Sequence, residues 1–406
     1  MTHDTRHAWR MDFETYRTLL EESLSGSECP FPLSEFQARR AKVHAAMHAA
    51  GLDALLLTDP ADIHYLTGYH TFEVSVHTSL TVRPDHCLLQ VPSIETGPAA
   101  TTAFVDEIAG YRWEAPETVI GPLADSLAGA SSIGVDGWSP GCRHGLLSAL
   151  HDRVGRQRFR EAGRVLDDVR IVKTESELDY LRRSAAITAS GLSTAEALVR
   201  PGVDENALAA AGAGAMLAAG SDFMSMQPIV TSGPRSSVIH LSHASRRVAP
   251  GDPVFLEFGA AYRRYTAPMM RTVVAGRSTP EMREVHGTCR AVFEALCAAM
   301  VPGARFDDAA MAGEAALAPV AGRVFFSGVF GYAVGAQFPP SWVEGSGFIA
   351  RGQDRHFEAN MVFHLPLCMR IPGQWGIGFS DTVLVGPNGA RPLTDNDWLL
   401  TEREVP

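Results

Sequence analysis

Two side chains in the middle of the chain have the chemical character of an acid–base pair. His240 ends the segment 233–240, which reads GPRSSVIH, and an imidazole suits proton transfer because its pKa lies near neutrality. Glu257 lies in the apolar run VFLEF at 254–258, where a carboxylate is costly unless it is paired or used. From the residues alone, His240 is either a proton carrier or a structural histidine of a loop.

For Glu257 the residues alone also leave two interpretations open. It forms a buried ion pair with Arg263, Arg264 or Arg271, or it faces a pocket as a functional group. In a pocket, a carboxylate binds a cationic substrate, acts as a base or attacks as a covalent nucleophile.

The elements that must hold these side chains can be read from the pattern. A strand pair is predicted over 253–275, with an irregularity where Pro268 removes a ladder hydrogen bond. Thr174 and Glu177 form a capping box that opens a helix over about 175–199. A second helix over 204–220 and a strand over 227–233 follow, and a long helix over 279–301 comes after the strand pair. Before residue 165, strands alternate with helical stretches, as in an α/β domain.

Composition bounds the class of protein. The 406 residues correspond to about two or three domains. A net charge of −11 argues against a nucleic-acid surface and favours a protein that handles a small molecule. The six cysteines form no CxxC pair and are expected to be reduced thiols. No run approaches the roughly 18 apolar residues of a membrane span, and no apolar leader follows Met1, so a cytoplasmic protein is expected.

Several separate segments resemble the pita-bread family, which includes methionine aminopeptidase, prolidase, aminopeptidase P and creatinase. Residues 251–260, GDPVFLEFGA, with RTVV at 271–274 are similar to its core strand pair. RIVKTESEL at 170–178 is similar to the entry of its catalytic domain, and IHYLTGY at 63–69 resembles the N-terminal domain of creatinase and prolidase. The resemblance implies the following division: a polar N-terminal arm at 1–30, a creatinase/prolidase-type α/β domain at 31–168, and an α+β pita-bread catalytic domain at 169–406.

The metal ligands of the peptidases in that family are mostly replaced in this chain. Aligned by motif, the two Asp, the His and the two Glu ligands correspond to Glu257, Pro268, Tyr332, Leu365 or Pro366, and Ser380. A hard divalent cation needs several oxygen or imidazole ligands that converge at short range. The sequence therefore predicts neither a bound metal nor another cofactor, and it argues against a two-metal peptidase.

The residues around these positions resemble the ectoine hydrolase branch of the family. YRRYTAPMMRT at 262–272, GYAVG at 331–335 and FPPSWVE at 338–344 carry this resemblance. It implies that His240 is the general acid or base, as in metal-free creatinase, and that Tyr332 hydrogen-bonds a substrate carboxylate. Trp375 is expected to stack on a delocalised cation such as an amidinium. Trp342 is either pocket wall or core, and His364 either a second proton carrier or a satisfied core histidine. The substrate-binding residues expected on this basis are Tyr265, Tyr332, Trp342, Glu344, His364 and Trp375.

The sequence thus predicts a metal-independent hydrolase, similar to ectoine hydrolase or creatinase, that cleaves a C–N bond of a small polar or zwitterionic substrate. Glu257 is the acid/base or covalent carboxylate and His240 moves protons. Two alternatives stay open: a lyase or natural-product tailoring enzyme on the same scaffold, and a non-catalytic binding protein with a degenerate peptidase pocket.

The resemblance also implies a homodimer in which the loop at 69–77 lies near the partner's pocket. Val74 and Val76 stand approximately where creatinase has an aromatic residue and an Arg, which argues against creatine as the substrate.

Overall fold

The computed structural model describes residues 11–403, and the chain divides into two compact units between Val169 and Arg170. The predicted boundary lies one residue earlier. The first ten residues of the predicted N-terminal arm lie outside the described residues, and the remainder contains a helix.

The helices have the following bounds: α1 Phe13–Leu24, α2 Leu33–Ala49, α3 Pro60–Thr67, α4 Thr96–Thr102, α5 Ile120–Ser126, α6 His144–Leu150, α7 Gly163–Arg170, α8 Glu175–Ala197, α9 Glu205–Ala218, α10 Pro280–Ala299 and α11 Phe306–Leu317.

The strands have the following bounds: β1 Ala54–Leu57, β2 Ser79–Val82, β3 Cys87–Pro92, β4 Glu107–Tyr111, β5 Ile133–Val135, β6 Phe159–Glu161, β7 Ile229–Ser232, β8 Pro253–Phe258, β9 Ala261–Tyr262, β10 Tyr265–Thr266, β11 Met269–Val274, β12 Gly331–Ala333, β13 Phe348–Ile349, β14 Val362–His364, β15 Leu367–Ile371, β16 Trp375–Phe379, β17 Thr382–Gly386, β18 Gly389–Pro392 and β19 Thr401–Glu402.

The N-terminal unit is built on a mixed sheet with the strand order β4-β3-β2-β1-β5-β6. Its central strand β1 is buried on both faces, because Leu55 and Leu57 pack into one apolar cluster and Ala54 and Leu56 into another. An apolar run of this kind is typical of a strand covered by helices on both sides. The segment 63–69, which carries the resemblance to creatinase and prolidase, belongs to helix α3 and the residues after it.

The C-terminal unit places Glu257 in the middle of a four-stranded sheet with the order β19-β11-β8-β7. Side chains of β8 alternate between its two faces. Val254, Leu256 and Phe258 join the apolar cluster that also includes residues of helices α8 and α9. Glu257 therefore points to the opposite face, between Ile229 of β7 and Met270 of β11.

A five-stranded sheet, in the order β13-β12-β14-β17-β18, and the hairpin β15-β16 complete the C-terminal unit. They share a large apolar core with helices α10 and α11. As predicted, the second strand of the core pair is irregular: β10 ends at Thr266 and β11 begins at Met269, so Pro268 lies in the break. This organisation leaves Glu257 of β8, Tyr332 of β12, and Cys368 and Arg370 of β15 around one space.

Two whole-chain properties complete the description. All six cysteines have free thiols. Within residues 11–403, none of the helices has the length and apolar composition that crossing a membrane requires.

Candidate active site

A cavity of about 380 Å³ opens on the C-terminal unit beside the end of β8. Four of the residues predicted to form the site line it: His240, Glu257, Tyr332 and Trp342. Most of its other walls are apolar. The remaining lining residues are Met226, Ile229, Thr231, Val238, Ile239, Phe255, Met270, Ser327, Val329, Ser341, Val343, Phe348, Pro366, Cys368 and Arg370.

Glu257 is a buried carboxyl group at the wall of this cavity, 6% exposed. It has no ion pair among the described residues: Arg271 pairs with Glu196 at 3.0 Å and Arg264 with Asp222 at 3.8 Å. Burial raises the pKa of Glu257 to about 8, and the nearby charge of Arg370 opposes this rise without cancelling it. Near neutral pH the carboxyl group therefore holds its proton.

His240 reaches the same cavity from an exposed loop that follows β7 and a short 3₁₀ turn. The turn is fixed to strand β16, because the hydroxyl of Ser236 accepts a hydrogen bond from the backbone N–H of Gly376 at 2.8 Å. Only glycine fits there, since a Cβ at Gly376 would lie 2.2 Å from the carbonyl oxygen of Ser236. His240 itself has a φ of 56°, a conformation that a non-glycine residue adopts at a cost and that is concentrated at functional sites.

Tyr332 and Trp342 are joined to His364 and Ser380 by a chain of hydrogen bonds. The indole N–H of Trp342 donates to the hydroxyl oxygen of Tyr332 at 2.8 Å. That oxygen lies 2.9 Å from Nδ1 of His364, and Nε2 of His364 lies 2.7 Å from Oγ of Ser380. The backbone N–H of Met270 also donates to Oγ of Ser380, at 2.8 Å. The chain thus links the lining residue Tyr332 to three residues behind it and to strand β11.

The direction of the protons in this chain follows from Ser380, which is fully buried. Among the described residues, Nε2 of His364 is the one acceptor within reach of its hydroxyl proton, and buried hydroxyl groups are almost always satisfied. Nδ1 of His364 then carries the imidazole proton and donates to the oxygen of Tyr332. Because this oxygen also accepts from Trp342, the phenolic proton of Tyr332 is directed to neither of these two partners and is available to a group in the cavity.

His364 remains neutral in this arrangement. Burial lowers its pKa to about 3, so the imidazole is uncharged at ordinary pH. Of the two roles left open for His364, the structure favours the satisfied core histidine: it does not line the cavity, and it orients Tyr332.

Four of the predicted substrate-binding residues do not line the cavity: His364, described above, and Trp375, Tyr265 and Glu344. Trp375 is not among the lining residues, because its side chain lies on the face of β16 that carries Ile377 and Phe379 into the apolar core. The other face of β16 carries Gly376 and Gly378. A Cβ at Gly378 would lie 2.2 Å from the ring of Phe255, so this face has no room for an aromatic side chain.

Tyr265 and Glu344 are not among the lining residues either, because both side chains bond to partners inside the protein. The hydroxyl of Tyr265, which is completely buried, donates to Oε1 of Glu177 at 2.9 Å. The carboxylate of Glu344 accepts two hydrogen bonds of 2.8 Å from Nζ of Lys173. These contacts fasten helix α8 and the residues before it to the rest of the C-terminal unit.

Arg370 and Cys368 line the cavity but were not identified from the sequence. Both lie on β15, alternating with Leu367 and Met369, which pack into the core. Burial raises the pKa of the Cys368 thiol to about 12, so the thiol is neutral. The alternation of the apolar residues in LCMRI was the available signal, because it places Cys368 and Arg370 together on the other face of the strand.

The residues at the positions of the family's metal ligands do not fit a divalent cation. Glu257 holds its proton near neutral pH, and Tyr332 and Ser380 are hydrogen-bonded to His364. Pro268, and Leu365 or Pro366 at the fourth position, offer no side-chain donor. Within residues 11–403, there is no group of three or more His, Cys, Asp and Glu side chains that could hold a metal ion. The donor set is therefore unlike the carboxylate-rich sites that hard cations require.

Comparison with known families gives two matches along the chain. Residues 39–172 match the Creatinase/Prolidase N-terminal domain, and residues 179–387 match metallopeptidase family M24. The second match covers more than half of the chain.

Curated relatives of similar length include both hydrolases and peptidases. The chain is 25% identical to an ectoine hydrolase of Halomonas elongata over 90% of this chain and 96% of the relative. It is 28% identical to an uncharacterized hydrolase/peptidase of Sinorhizobium fredii, over 90% and 95% of the two chains. It is 22% identical to an Xaa-Pro dipeptidase of Pyrococcus furiosus, over 90% and 99%.

Solved structures with the same fold are prolidases and related peptidases. A prolidase from Thermococcus sibiricus superposes with a TM-score of 0.81 at 19% identity, covering 91% of this chain and 99% of the other. A prolidase from Pyrococcus horikoshii superposes with a TM-score of 0.78 at 20% identity, covering 89% and 100%. These similarities confirm the predicted fold, an α/β N-terminal domain followed by a pita-bread domain.

Proposed function

Because the chain belongs to metallopeptidase family M24 and yet lacks that family's set of metal-binding side chains, we propose that it is a metal-independent hydrolase. It cleaves a C–N bond of a small polar or zwitterionic substrate, in the manner of an ectoine hydrolase or a creatinase. The observation that carries this proposal is the buried Glu257 carboxyl group, which lines the same cavity as His240 and has no ion pair among residues 11–403.

In the proposed reaction His240 takes a proton from the attacking water, whose oxygen forms a bond to the substrate carbon. Glu257, which holds its proton near neutral pH, gives that proton to the nitrogen as the C–N bond breaks. One water molecule is consumed, and His240 returns its proton to restore Glu257. An imidazole and a raised carboxyl pKa suit these two roles, since general acid–base groups work best with a pKa near the operating pH.

Tyr332 supplies a third group to the reaction. Its hydroxyl proton is available to a group in the cavity while its oxygen accepts hydrogen bonds from Trp342 and His364. Accepting two hydrogen bonds polarises the phenol and strengthens it as a donor. A donor fixed in this way stabilises the negative charge that develops on the substrate as water adds.

The proposal is tested by incubating the purified protein with ectoine, hydroxyectoine, creatine and proline dipeptides and following the products by mass spectrometry. The expected result is a product that corresponds to the addition of one water to a cyclic amidine or guanidine substrate, with the same rate in EDTA. Hydrolysis of proline dipeptides alone, dependent on an added divalent cation, would instead identify a metallopeptidase. Failure to turn over any of these compounds would refute the substrate class.

A further inference from the structure

Arg370 differs from the other buried arginines of the described chain in having no acidic partner. It is 8% exposed, lines the cavity, and its Nε has no hydrogen-bond partner within residues 11–403. The other buried arginines each form an ion pair: Arg39 with Glu35 at 3.1 Å, Arg170 with Glu344 at 3.9 Å, and Arg271 with Glu196 at 3.0 Å.

The groups around Arg370 do not neutralise its charge. Glu257 lies close enough for the charge of Arg370 to affect its pKa, but the two side chains form no ion pair, and burial keeps Glu257 protonated near neutral pH. The Cys368 thiol, which bonds to Arg370, is neutral because burial raises its pKa to about 12. The ring of Phe255 lies 5.6 Å from the guanidinium carbon, measured to the ring centroid, and offers a favourable but uncharged contact. The cavity therefore contains a buried cation without an anionic partner among the described residues, and an anionic group of a ligand can supply one.

The other residues that line the cavity restrict the kind of molecule that can carry this anionic group. Most of the side chains that line the cavity are apolar, among them Ile229, Phe255, Met270 and Val343. A guanidinium fork matches the two oxygens of a carboxylate. Arg370 is the one Lys or Arg side chain among the described lining residues, so its single charge matches a carboxylate better than a phosphate dianion.

We propose that Arg370 is the anchor for a carboxylate of the substrate, and that the rest of this compact substrate contacts mainly apolar walls. This inference rests on the proposed function in placing the substrate in this cavity, and it adds the charge and shape of the molecule that is cleaved. In this proposal Arg370 binds the anionic end of a zwitterionic substrate, and the hydroxyl of Tyr332 contacts the atoms that react.

The test is a binding experiment that does not depend on turnover. Cyclohexanecarboxylate, benzoate and pivalate are titrated calorimetrically into the full-length protein, together with their uncharged amides and with inorganic phosphate. At least one acid is expected to bind at least tenfold more tightly than its amide, because a charge-assisted hydrogen bond is worth about 1.5–3 kcal/mol. Equal binding of acids and amides, tighter binding of phosphate, or no binding of any acid would overturn the proposal.

Variants then assign the effect to one side chain. Arg370→Gln should lose at least tenfold in affinity for the acid and leave the affinity for the amide unchanged. The affinity of Arg370→Lys for the acid should lie between those of the wild type and Arg370→Gln, because an ammonium keeps the charge but lacks the two-pronged geometry of a guanidinium. Arg391→Gln, an exposed change on β18, is the charge-matched control and should bind like the wild type. If Arg370→Gln does not fold, Arg370→Lys and the wild-type comparison of acid with amide still decide the outcome.

The result separates this proposal from that of hydrolysis. Selective binding of acids through Arg370 in a protein that hydrolyses none of the screened compounds would support the anchor and refute the proposed reaction. Hydrolysis that persists undiminished in Arg370→Gln would support the reaction and refute the anchor.

Discussion

The carboxyl group of Glu257 is subject to two opposing effects. Burial favours its neutral form, and the guanidinium of Arg370 favours its charged form. Burial prevails, because the two side chains form no ion pair and no hydrogen bond to Glu257 stabilises a carboxylate. A pKa raised to about 8 makes this residue a proton donor at neutral pH, in contrast to an ordinary surface glutamate.

Replacing Glu257 by glutamine should therefore abolish turnover without weakening the fold. The amide keeps the shape of the side chain but cannot donate or accept a proton at the reacting nitrogen. The folded pKa of about 8 lies above the unfolded value of 4.5, so wild-type stability falls as pH rises from 4.5 to 8. Glu257→Gln should consequently gain up to a few kcal/mol over the wild type by pH 8 and gain nothing near pH 4.5.

Steady-state rates and thermal unfolding of Glu257→Gln at both pH values check this prediction. Glu358→Gln, a change at an exposed carboxylate, is the matched control and should alter neither quantity. The opposite outcome is a lower melting temperature of Glu257→Gln, with activity reduced only in proportion to the loss of folded protein. It would show that Glu257 forms a structural ion pair and is not a catalytic carboxyl group.

His240→Asn should reduce the rate by roughly a hundredfold or more, because an amide cannot carry the proton that general base catalysis removes from water. The loss should appear in kcat with little change in melting temperature, since His240 is exposed and lies in a loop. Single-turnover and steady-state rates on the true substrate provide the measurement. A rate within a fewfold of the wild type would assign proton transfer to another group.

Single residues of the site differ in how far sequence could predict them. Glu257 is an acidic residue in an apolar strand and His240 ends a recognisable loop, so both were identified. Arg370 was missed because a charged residue near the end of a short strand usually faces solvent. Its burial depends on how the β15-β16 hairpin packs beside Phe255, which involves residues more than a hundred positions apart.

At the scale of elements, one hydrogen-bonded chain joins two sheets of the C-terminal unit. Tyr332 on β12 and His364 on β14 belong to the five-stranded sheet, and Met270 on β11 belongs to the four-stranded sheet. Ser380 lies between them and bonds to both sides. The neutral imidazole of His364 is therefore a structural link between the sheets as well as the support of Tyr332.

This link should make the fold sensitive to acid. The pKa of His364 is about 3 in the folded protein and 6.5 as its ordinary value. Between pH 6.5 and 3 the unfolded chain takes up a proton that the folded protein does not. Its stability should therefore fall by about 1.4 kcal/mol for each unit of pH below 6.5 on account of this residue.

Denaturant unfolding of the wild type and His364→Gln between pH 7 and 4 tests the prediction. The variant should lose less stability on acidification, although it is less stable at pH 7. His77→Gln is an informative control, because burial also lowers the pKa of His77, to about 4, in the N-terminal unit. Parallel stability curves for wild type and His364→Gln would contradict the assignment.

The positions of the helices and strands were mostly predictable from the sequence. Which face of a strand meets the cavity was harder to predict. The capping box of Thr174 and Glu177 opens helix α8 as expected, because capping depends on residues three positions apart. Trp375 was expected in the pocket, but its side chain on β16 points into the core. Which face of a strand meets the cavity is decided by packing against distant residues, here by the close approach of Phe255 to Gly378.

At the scale of the whole molecule, a homodimer is proposed from the resemblance to creatinase alone. The loop at 69–77 contains Phe72, whose side chain is 94% exposed, and large apolar side chains in such positions often lie at protein interfaces. Light scattering at assay concentration should give twice the chain mass of 43.7 kDa. Phe72→Ser should weaken the dimer and reduce activity together, whereas a fully active monomer would contradict the proposal.

The family to which the chain belongs makes metal content the sharpest test of its chemistry. A bound cation would need donors at the positions of Glu257, Pro268, Tyr332, Leu365 or Pro366, and Ser380. These residues present one protonated carboxyl group, two hydroxyl groups and two side chains without a donor atom. Both hydroxyl oxygens already accept hydrogen bonds from neighbouring side chains or backbone. Forming a metal site would break these bonds and deprotonate Glu257, and metal affinity falls when ligands must first lose a proton.

We expect the purified protein to contain no stoichiometric transition metal, and its activity to be unchanged by EDTA or by added Mn²⁺, Co²⁺ or Zn²⁺. Elemental analysis of protein purified without chelator, with activity measured on the same samples, is the measurement. About one or two metal ions per chain that are lost together with activity would refute the metal-independent mechanism.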